Sequence, residues 1–376
     1  MRRPEHSQKK IILASIALDK MAGGLEKNIV HLANEMQGRG YRVYVVTFDL
    51  PEAVSFYPLH PDVEWHKMGV SVPHQKISFK DRADSIGKIR RFIKEHALKA
   101  PLIVFHHGIL IRMFIASFGL ATPLICSERH SVSIYQHTTK SKWNVNFLLL
   151  FMCRAITVQF ESYKKKYPML LRRRIRAIPN SISQMKQVAT PDKADELGRF
   201  RILCVARLGY QKNISVLIEA FSKLAQRYPL WDVHLVGDGE EEGRLKAIVK
   251  ERDLEGRVIF HGKQENIPDY LKAAHIFCLP SRWEGFPNAL AEALSMGLPC
   301  VGFAGCDGVS DLIVDGGNGV LAQGNGRIDT LSQKIEGLVQ DNDLRQEMGA
   351  AAARSVMCYA PDSIYDQWDS LIREYV

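Results

Sequence analysis

The sequence predicts an α/β fold of two domains, each built on a parallel sheet. At 376 residues, the chain is longer than a single hydrophobic core usually supports. Short apolar runs alternate with amphipathic segments throughout, and the connections between them are short. This β-α-β order favours parallel strands, with ligands bound at the carboxyl ends of those strands.

The first half begins with a segment that has some features of an export signal. A basic N-terminus precedes the apolar run Ile11–Leu18, but the run is short, ends at Asp19 and lacks a small-residue cleavage pattern. A buried first strand is therefore the better interpretation. The elements predicted in this half are strands at Lys10–Leu18, Tyr41–Thr47, Pro101–His106 and Pro123–Ser127, and helices at Gly24–Gly40 and Asp84–His96.

The second half repeats the alternation with clearer boundaries. Apolar content drops over Asn180–Arg199, which places the domain boundary there and predicts domains at 1–183 and 184–359. The predicted strands are Phe200–Ala206, Asp232–Val236, Val258–His261, His275–Leu279 and Pro299–Phe303. The predicted helices are Ile214–Arg227, Glu240–Arg252, Ile267–Ala273, Ala289–Gly297, 330–341, 344–356 and Ala360–Tyr375.

Composition limits the class of protein. The apolar content of 46% and charged content of 24% are ordinary for a soluble α/β protein, and no run approaches the about 20 apolar residues of a membrane-spanning helix. Seven cysteines without a CxxC pair favour buried thiols in a reducing compartment. Residues 1–183 carry a net charge of +16 and the remainder −7. The basic half therefore predicts a polyanionic partner: nucleic acid, anionic lipid or a phosphorylated substrate.

The segment Ser281–Leu294 follows a predicted strand and opens a helix. Pro287 suits the first turn, where a missing N–H costs nothing, and Gly285 allows close approach to a ligand. Amides at a helix N-terminus attract anions. Glu284 and Glu292 offer paired acceptors for sugar hydroxyls; a helix cap beside an exposed acid is the alternative interpretation.

Two cations follow another predicted strand. Arg207 can bind phosphate through two hydrogen bonds and Lys212 adds a point charge, so with the Gly285–Asn288 amides they form a candidate diphosphate clamp. A plain surface Arg-Lys pair is the alternative. The motif Asp341-Asn342-Asp343 lies between two helices, which predicts a turn with a helix cap. We therefore expect no metal and no cofactor.

In the first half, three short motifs lie at or just after the ends of predicted strands. Gly23-Gly24 is not part of a GxGxxG fingerprint, which argues against a dehydrogenase; the glycines either approach a ligand or simply start a helix. Ser127–Ser131 includes His130, which is a candidate site residue or a solvated histidine. His106-His107 is a competing pair that needs carboxylates to hold a metal, and the sequence does not place them.

Taken together, these motifs resemble the retaining GT-B glycosyltransferases of family 4. Glu284 and Glu292, with seven residues between them in the context EGFPNALAEAL, resemble the family's signature. The resemblance covers almost the whole chain, and within the family it is nearest to enzymes that add N-acetylhexosamine to polyprenyl-diphosphate-linked oligosaccharides. The other matching segments are Ala22–Gly24, Ile178–Ser181, Ala206–Leu208 with Lys212, Val236–Gly239, Phe260–Gly262 and Gly317–Gly319.

The resemblance implies two Rossmann-like domains that face each other across a cleft, with residues 360–376 crossing back to the first domain. It implies that His130 contacts the transferring sugar near its anomeric centre, Glu284 meets the sugar hydroxyls and Glu292 the ribose. The remaining donor-binding residues are expected to be Gly23, Gly24, Gly237, His261, Gly262, Lys263, Gly285, Phe286, Pro287 and Asn288.

The sequence departs from the family pattern at two places. Arg129 separates Glu128 from His130, where near relatives read EH directly, so the register of these residues is open by one position. Ser310-Asp311 stands where the family usually carries a glutamate beside a glycine-rich turn. This second departure leaves the sugar specificity open.

Basic residues of the first half alternate with apolar and aromatic ones, which suits an anionic lipid surface. Core packing of Phe147–Phe151 and ordinary solvated charge are the alternatives. The basic segments are Lys88–Lys94, Lys140–Lys142, Lys164–Lys166 and Arg172–Arg176, and the apolar ones are Phe92, Trp143, Phe147, Leu148–Phe151, Tyr163, Tyr167 and Met169–Leu171.

The sequence therefore predicts a retaining, metal-independent glycosyltransferase at the cytoplasmic face of a bacterial inner membrane. It would move a hexose or N-acetylhexosamine from a nucleotide-sugar, with UDP favoured, to a lipid-linked or glycan acceptor in cell-surface polysaccharide synthesis. A GT-B epimerase or phosphorylase is the nearest alternative. Binding of nucleic acid by the basic half is the alternative from another class, and no recognition motif supports it.

Overall fold

The computed structural model describes residues 9–21, 23–69, 78–131, 145–183 and 188–376 and contains two compact units. Unit 1 comprises Met1–Ser181 and Asp362–Val376, and unit 2 comprises Ile182–Pro361. Three of the sequence predictions, at Ala22, Lys140–Lys142 and Trp143, lie outside the described residues. No helix within the described ranges is long and apolar enough to span a membrane.

Unit 1 is built on a seven-stranded parallel sheet, with helices in the segments that connect the strands. Its strands are β1 Lys10–Ala14, β2 Arg42–Thr47, β3 Glu64–Lys67, β4 Leu102–Val104, β5 Leu124–Ser127, β6 Ala155–Val158 and β7 Ile175–Ala177. They lie in the order β3-β2-β1-β4-β5-β6-β7, and all neighbours are parallel. The helices are α1 Gly24–Gly38, α2 Phe79–His96, α3 Leu110–Ser117, α4 Val145–Leu149, α5 Glu161–Lys164 and α6 Met169–Arg172.

Unit 2 has a second parallel sheet. Its strands are β8 Phe200–Val205, β9 Trp231–Val236, β10 Val258–Phe260, β11 Ile276–Leu279, β12 Cys300–Phe303 and β13 Gly319–Ala322, in the order β10-β9-β8-β11-β12-β13. Its helices are α7 Ile214–Ser222, α8 Glu242–Glu251, α9 Ile267–Lys272, α10 Asn288–Ser295, α11 Val309–Leu312, α12 Ile328–Gln340 and α13 Asn342–Ser355.

In each sheet, successive strands are added first on one side of the starting strand and then on its other side, so the winding changes direction once. The reversal lies between β1 and β4 in unit 1 and between β8 and β11 in unit 2. Ligands of doubly wound sheets bind at such switch points, outside the carboxyl ends of the strands. The loops after these four strands are therefore the places where site residues are expected.

The last helix, α14 Pro361–Arg373, belongs almost entirely to unit 1. It is amphipathic and buries Trp368 and Ile372. Its polar face is anchored where Tyr41 Oη donates to Asp369 Oδ1 at 2.6 Å and Arg39 pairs with Asp366 at 2.6 Å. Unit 1 is thus built from both ends of the described chain.

Most predicted elements are present, with shifted ends. The run Ile11–Leu18 is a buried first strand as expected, but it ends at Ala14 because the Leu18 amide turns to donate to Asp49 Oδ2 at 2.8 Å. Helix α2 starts five residues before the predicted start, where the Ser78 side chain caps it by accepting from the Asp81 amide at 3.1 Å. The strands β3, β6, β7 and β13 were not predicted.

Candidate active site

The loops after β8 and β11 meet at the switch point of unit 2 and bring a cation and a carboxylate together. Lys212 ends a 3-10 turn after β8, and Glu284 lies in the loop before α10. Lys212 Nζ lies 2.6 Å from Glu284 Oε1. The Lys212 side chain is 22% exposed and that of Glu284 only 6%. Two residues predicted separately therefore form one half-buried ion pair.

Hydrogen bonds between the two loops hold this pair in place. Gln211 Nε2 donates to the Trp283 carbonyl at 2.8 Å, and the Arg282 amide donates to the Gln211 carbonyl at 2.9 Å. Asn213 Nδ2 reaches the Pro280 carbonyl at 3.3 Å. The loops are thus preorganised, which is what electrostatic catalysis requires.

Two buried oxygens next to this pair have no hydrogen-bond partner in the described part of the chain. They are Asn213 Oδ1 and Ser281 Oγ. Asn213 also adopts the left-handed conformation at φ 55°, which asparagine tolerates better than most residues. Unsatisfied buried polar groups often mark functional sites, so the two oxygens support a ligand site here.

Arg207 lies in the same β8 loop but is paired elsewhere. Its Nη2 lies 2.8 Å from Glu240 Oε2, and the two side chains are 74% and 56% exposed. Gly237 makes this loop arrangement possible: its φ is +130°, and a Cβ there would lie 2.1 Å from the Ala206 carbonyl oxygen. The predicted wall Val236–Gly239 therefore packs directly against the Arg207 loop.

The segment before α10 is buried. Gly285, Phe286 and Pro287 are all shielded from solvent, and the helix begins at Asn288. The Phe286 ring contacts the Tyr359 ring edge-on, with centroids 5.7 Å apart. Glu292 is half-buried in the second turn of this helix.

The predicted base-binding region is a histidine stack at the end of β10. His234 Nδ1 lies 3.0 Å from His261 Nε2, and Tyr270 packs edge-on against the His261 ring. Burial lowers the pKa of His261 and lowers that of His234 to about 4. The stack is therefore uncharged at neutral pH. Gly262 turns the chain at φ +63°, and the exposed Lys263 follows.

In unit 1 the residues after β5 point in different directions. Glu128 Oε1 lies 2.5 Å from His107 Nδ1, whereas Arg129 Nη2 donates to Asn180 Oδ1. Burial lowers the pKa of Arg129 to about 10. His130 is exposed. The structure therefore pairs one residue of the competing His106-His107 pair with a carboxylate, which sequence reasoning did not place.

The Gly23-Gly24 turn opens α1 and lies over a carboxylate that sequence reasoning missed. A Cβ on Gly23 would lie 2.1 Å from Glu26 Oε2, so a larger residue there would require this flexible carboxylate to move. Glu26 is buried, and burial raises its pKa. Its position three residues after Gly23, in the first turn of a helix, was the available signal.

Two further sequence predictions concern carboxylates outside the site. Asp341 Oδ1 accepts from the Leu344 amide at 2.9 Å, which confirms that the Asp341–Asp343 motif caps a helix. At the family departure, Asp311 Oδ2 accepts from the Gly308 amide at 3.0 Å, and Gly308 has φ +77°. Asp311 therefore stabilises the glycine-rich turn before α11.

Comparisons with known proteins agree with this architecture. The chain is similar to solved structures of sucrose-phosphate synthase from Thermosynechococcus elongatus (TM-score 0.82, 17% identity, 98% of this chain and 99% of that one). It is also similar to Anabaena HepE in complex with UDP and glucose (TM-score 0.78, 18% identity, 98% of this chain and 100% of that one). Two Rossmann-like domains of this kind define the GT-B fold class, as the sequence predicted.

Comparison of the sequence with a family model and with curated relatives narrows the class of protein that this chain resembles. Residues 188–355 match the family model described as glycosyl transferases group 1. An uncharacterised glycosyltransferase of Haemophilus influenzae is 26% identical over 93% of this chain and 96% of its own length. A Campylobacter jejuni N-acetyl-D-galactosaminyltransferase, named for a diNAcBac-PP-undecaprenol-linked acceptor, is 26% identical over 94% and 96%. Residues 188–355 are thus similar to a group 1 glycosyltransferase domain, and two relatives matched over nearly the whole chain are named as glycosyltransferases.

Proposed function

We propose that this protein is a retaining, metal-independent glycosyltransferase that uses a nucleotide-sugar, with UDP-sugars favoured. The acceptor would be a lipid-linked or growing glycan of cell-surface polysaccharide synthesis, with a hexose or N-acetylhexosamine as the transferred group. The observation that carries the proposal is the half-buried Lys212–Glu284 pair at the switch point of the matched domain.

The charges of unit 2 suit a leaving nucleoside diphosphate. Lys212 would neutralise one phosphate, and Arg207 would leave its exposed partner Glu240 to bind the other, because an exposed pair is worth only about 0–1 kcal/mol. The Gly285, Phe286 and Asn288 amides near the start of α10 add donors for the same anion. Three such sources of positive potential supply what a divalent cation would otherwise provide.

The remaining predicted residues would position the sugar and nucleoside. Glu284 accepts from sugar hydroxyls, Glu292 from the ribose diol, and the His261 stack offers a flat, uncharged surface for the base. His130 would contact the sugar near its anomeric carbon. No separate nucleophile is assigned, so the leaving diphosphate would itself take the acceptor proton on the same face, and positioning would carry much of the rate.

Measurement of nucleotide binding with EDTA present tests the proposal. We expect UDP or UDP-sugar to raise the Tm of the wild type and to have less effect on Glu292→Ala. The control is Glu347→Ala, an exposed acid on α13. A full UDP response in Glu292→Ala would remove the ribose role, and no response to any nucleotide would contradict the donor site. NMR of the product anomeric centre tests retention directly.

The same assay mixtures separate the alternatives. An epimerase would convert the donor sugar without acceptor, and a phosphorylase would release sugar phosphate only with inorganic phosphate. Neither outcome is expected here. Salt-sensitive binding of RNA or DNA, with no response to nucleotide-sugars, would instead favour the nucleic-acid interpretation.

We further propose that unit 1 rests on an anionic membrane surface. Met169 and Leu170 on α6 are 78% and 79% exposed, and the basic segments Lys164–Lys166 and Arg172–Arg176 flank them. Apolar side chains ringed by cations suit an acidic lipid headgroup layer. Co-sedimentation with phosphatidylglycerol vesicles but not phosphatidylcholine vesicles is expected; equal behaviour with both would contradict it.

A further inference from the structure

Three metal-ligating side chains of different chemistry meet in unit 1. They are His107, Cys126 and Glu128, and their donor atoms all lie within 4.8 Å of one another. Cys126 is in β5, Glu128 follows that strand, and His107 follows the neighbouring β4, which pairs with β5 at Val104 and Cys126. Neighbouring parallel strands therefore bring the three groups to one sheet edge.

One of the donor-atom separations already matches that of a tetrahedral zinc site, and the others need a small movement of the imidazole. Zinc bonds of about 2.0–2.3 Å to nitrogen, oxygen and sulfur place two ligands roughly 3.3–3.6 Å apart. Cys126 Sγ lies 3.4 Å from Glu128 Oε1, which already matches. His107 Nδ1 lies 2.5 Å from the same oxygen, so the imidazole would move away by about 1 Å to admit the cation.

Backbone and side-chain hydrogen bonds make the carboxylate end of the cluster rigid. The Glu128 amide donates to the Thr157 carbonyl at 2.9 Å, and the Thr157 hydroxyl donates to Ser127 Oγ at 2.9 Å. Glu128 is 4% exposed and Cys126 0%. A thiolate and a carboxylate on a divalent cation give a neutral group, which suits so buried a position.

We propose that His107, Cys126 and Glu128 form a zinc site, with the fourth position taken by water. One imidazole nitrogen, one thiolate and one carboxylate are a ligand set that zinc accepts. On binding, the Cys126 thiol gives its proton to the solvent as the sulfur–zinc bond forms, with no change of oxidation state. The cation would fix the ends of β4 and β5, and with them the loop that carries His130.

Cobalt titration of the full chain tests the site. After removal of metal by a chelator, Co²⁺ is added, and the thiolate-to-cobalt charge-transfer band and the visible d–d bands are followed. We expect one cobalt per chain, displaced by an equivalent of Zn²⁺. Cys126→Ser should abolish the charge-transfer band, and the near-isosteric Glu128→Gln should weaken cobalt binding at least about 10-fold.

Two matched controls are available among the buried thiols. Cys153 contacts the Cys126 thiol, and Cys300 is buried in unit 2. Cys153→Ser and Cys300→Ser should both keep the charge-transfer band. Circular dichroism of each metal-free variant shows whether it is folded. If Cys126→Ser is not folded, Glu128→Gln becomes the decisive variant.

The outcomes are distinct from those of the donor site. Three results would overturn the zinc site. They are the absence of a charge-transfer band in the wild type, an unchanged band in folded Cys126→Ser, and unchanged cobalt affinity in Glu128→Gln. UDP binding is measured on the same chelator-treated samples. Loss of that response alone would count against the proposed transferase, because the nucleotide-binding residues Lys212, Glu284 and Glu292 lie in unit 2.

Discussion

The two sheets share one winding pattern but carry different side chains at the carboxyl ends of their strands. In unit 2 the loops after β8 and β11 carry full charges, and each charge has a partner: Lys212 with Glu284, and Arg207 with Glu240. In unit 1, β5 carries the Cys126 thiol, and the loops after β4 and β5 carry the His107 imidazole and the buried Glu128 carboxylate. A parallel sheet therefore fixes where a site lies, while the loop residues decide whether it suits a diphosphate or a metal ion.

The difference extends to how charge is distributed over the chain. The first 183 residues hold a net charge of +16, yet the cluster of His107, Cys126 and Glu128 contains no lysine or arginine. Their positive charge lies instead on helical and loop segments such as Lys164–Lys166. Net charge of a domain and charge at its site are thus separate properties, which the sequence-level count alone does not distinguish.

The largest expected effect comes from breaking the ion pair of unit 2. Lys212→Met leaves the buried Glu284 without its ammonium partner, so we expect the free energy of unfolding to fall by about 3–5 kcal/mol. Sugar transfer should fall about 10³-fold, because the diphosphate also loses a cation. Urea unfolding and a transfer assay measure the two losses.

A double variant separates these two losses. Lys212→Met with Glu284→Gln removes both charges and should recover most of the stability without recovering transfer. The control Arg252→Met breaks an exposed pair with Glu219, at 2.9 Å, and should change stability by less than about 1 kcal/mol. Equal stability of the single and double variants would show that the pair is not the stabilising unit.

The next largest effect is expected from replacing His130 in unit 1, and it should lower activity without lowering stability. His130 is exposed, so His130→Ala should leave the free energy of unfolding within about 0.5 kcal/mol of the wild type. If it contacts the sugar as proposed, kcat should fall roughly 10²-fold, about 2.7 kcal/mol in barrier height. His60→Ala, another exposed histidine of unit 1, is the control, and an unchanged kcat in His130→Ala would exclude the role.

The smallest effect is a pH dependence of stability in unit 2. The His275 Nδ1 accepts from the Arg201 amide at 2.9 Å, and burial lowers the His275 pKa to about 4. Between pH 6.5 and pH 4 the unfolded chain binds a proton that the folded chain does not, so stability is complete above pH 6.5 and falls as the pH decreases. At pH 5 the loss is roughly 2 kcal/mol.

Replacement of that imidazole checks the assignment. His275→Gln cannot titrate, so its unfolding free energy should fall less between pH 7 and pH 5 than that of the wild type, even if it is lower overall. His60→Gln should keep the wild-type slope. Identical slopes for His275→Gln and the wild type would place the proton uptake elsewhere.

Sequence reasoning predicted the two sheets because their central strands are continuous apolar runs. It missed β3, where Glu64–Lys67 is half-buried and polar, and β7, which has only three residues. These edge strands depend on pairing with a neighbour rather than on their own pattern. Sequence reasoning also missed β6, a fully buried run of four residues between β5 and β7, so periodicity alone does not identify every strand of a sheet.

The candidate site divides in the same way. Glu284, Lys212 and Gly237 were identifiable from local spacing and from their motifs. The contact between Lys212 and Glu284, and that between His107 and Glu128, depends on which strands lie side by side, and the spacing of residues along the chain does not contain that information. Glu128 was noticed only as a neighbour of His130, because its partner is on another loop.

The return of α14 to unit 1 has a consequence for biosynthesis. A ribosome completes Ile182–Pro361 before it makes the helix residues that bury Trp368 in unit 1. Domains usually fold in the order of their synthesis, but here the second unit has its whole sequence first. The nascent first unit must therefore keep the surface that receives α14 uncovered until translation of that helix ends.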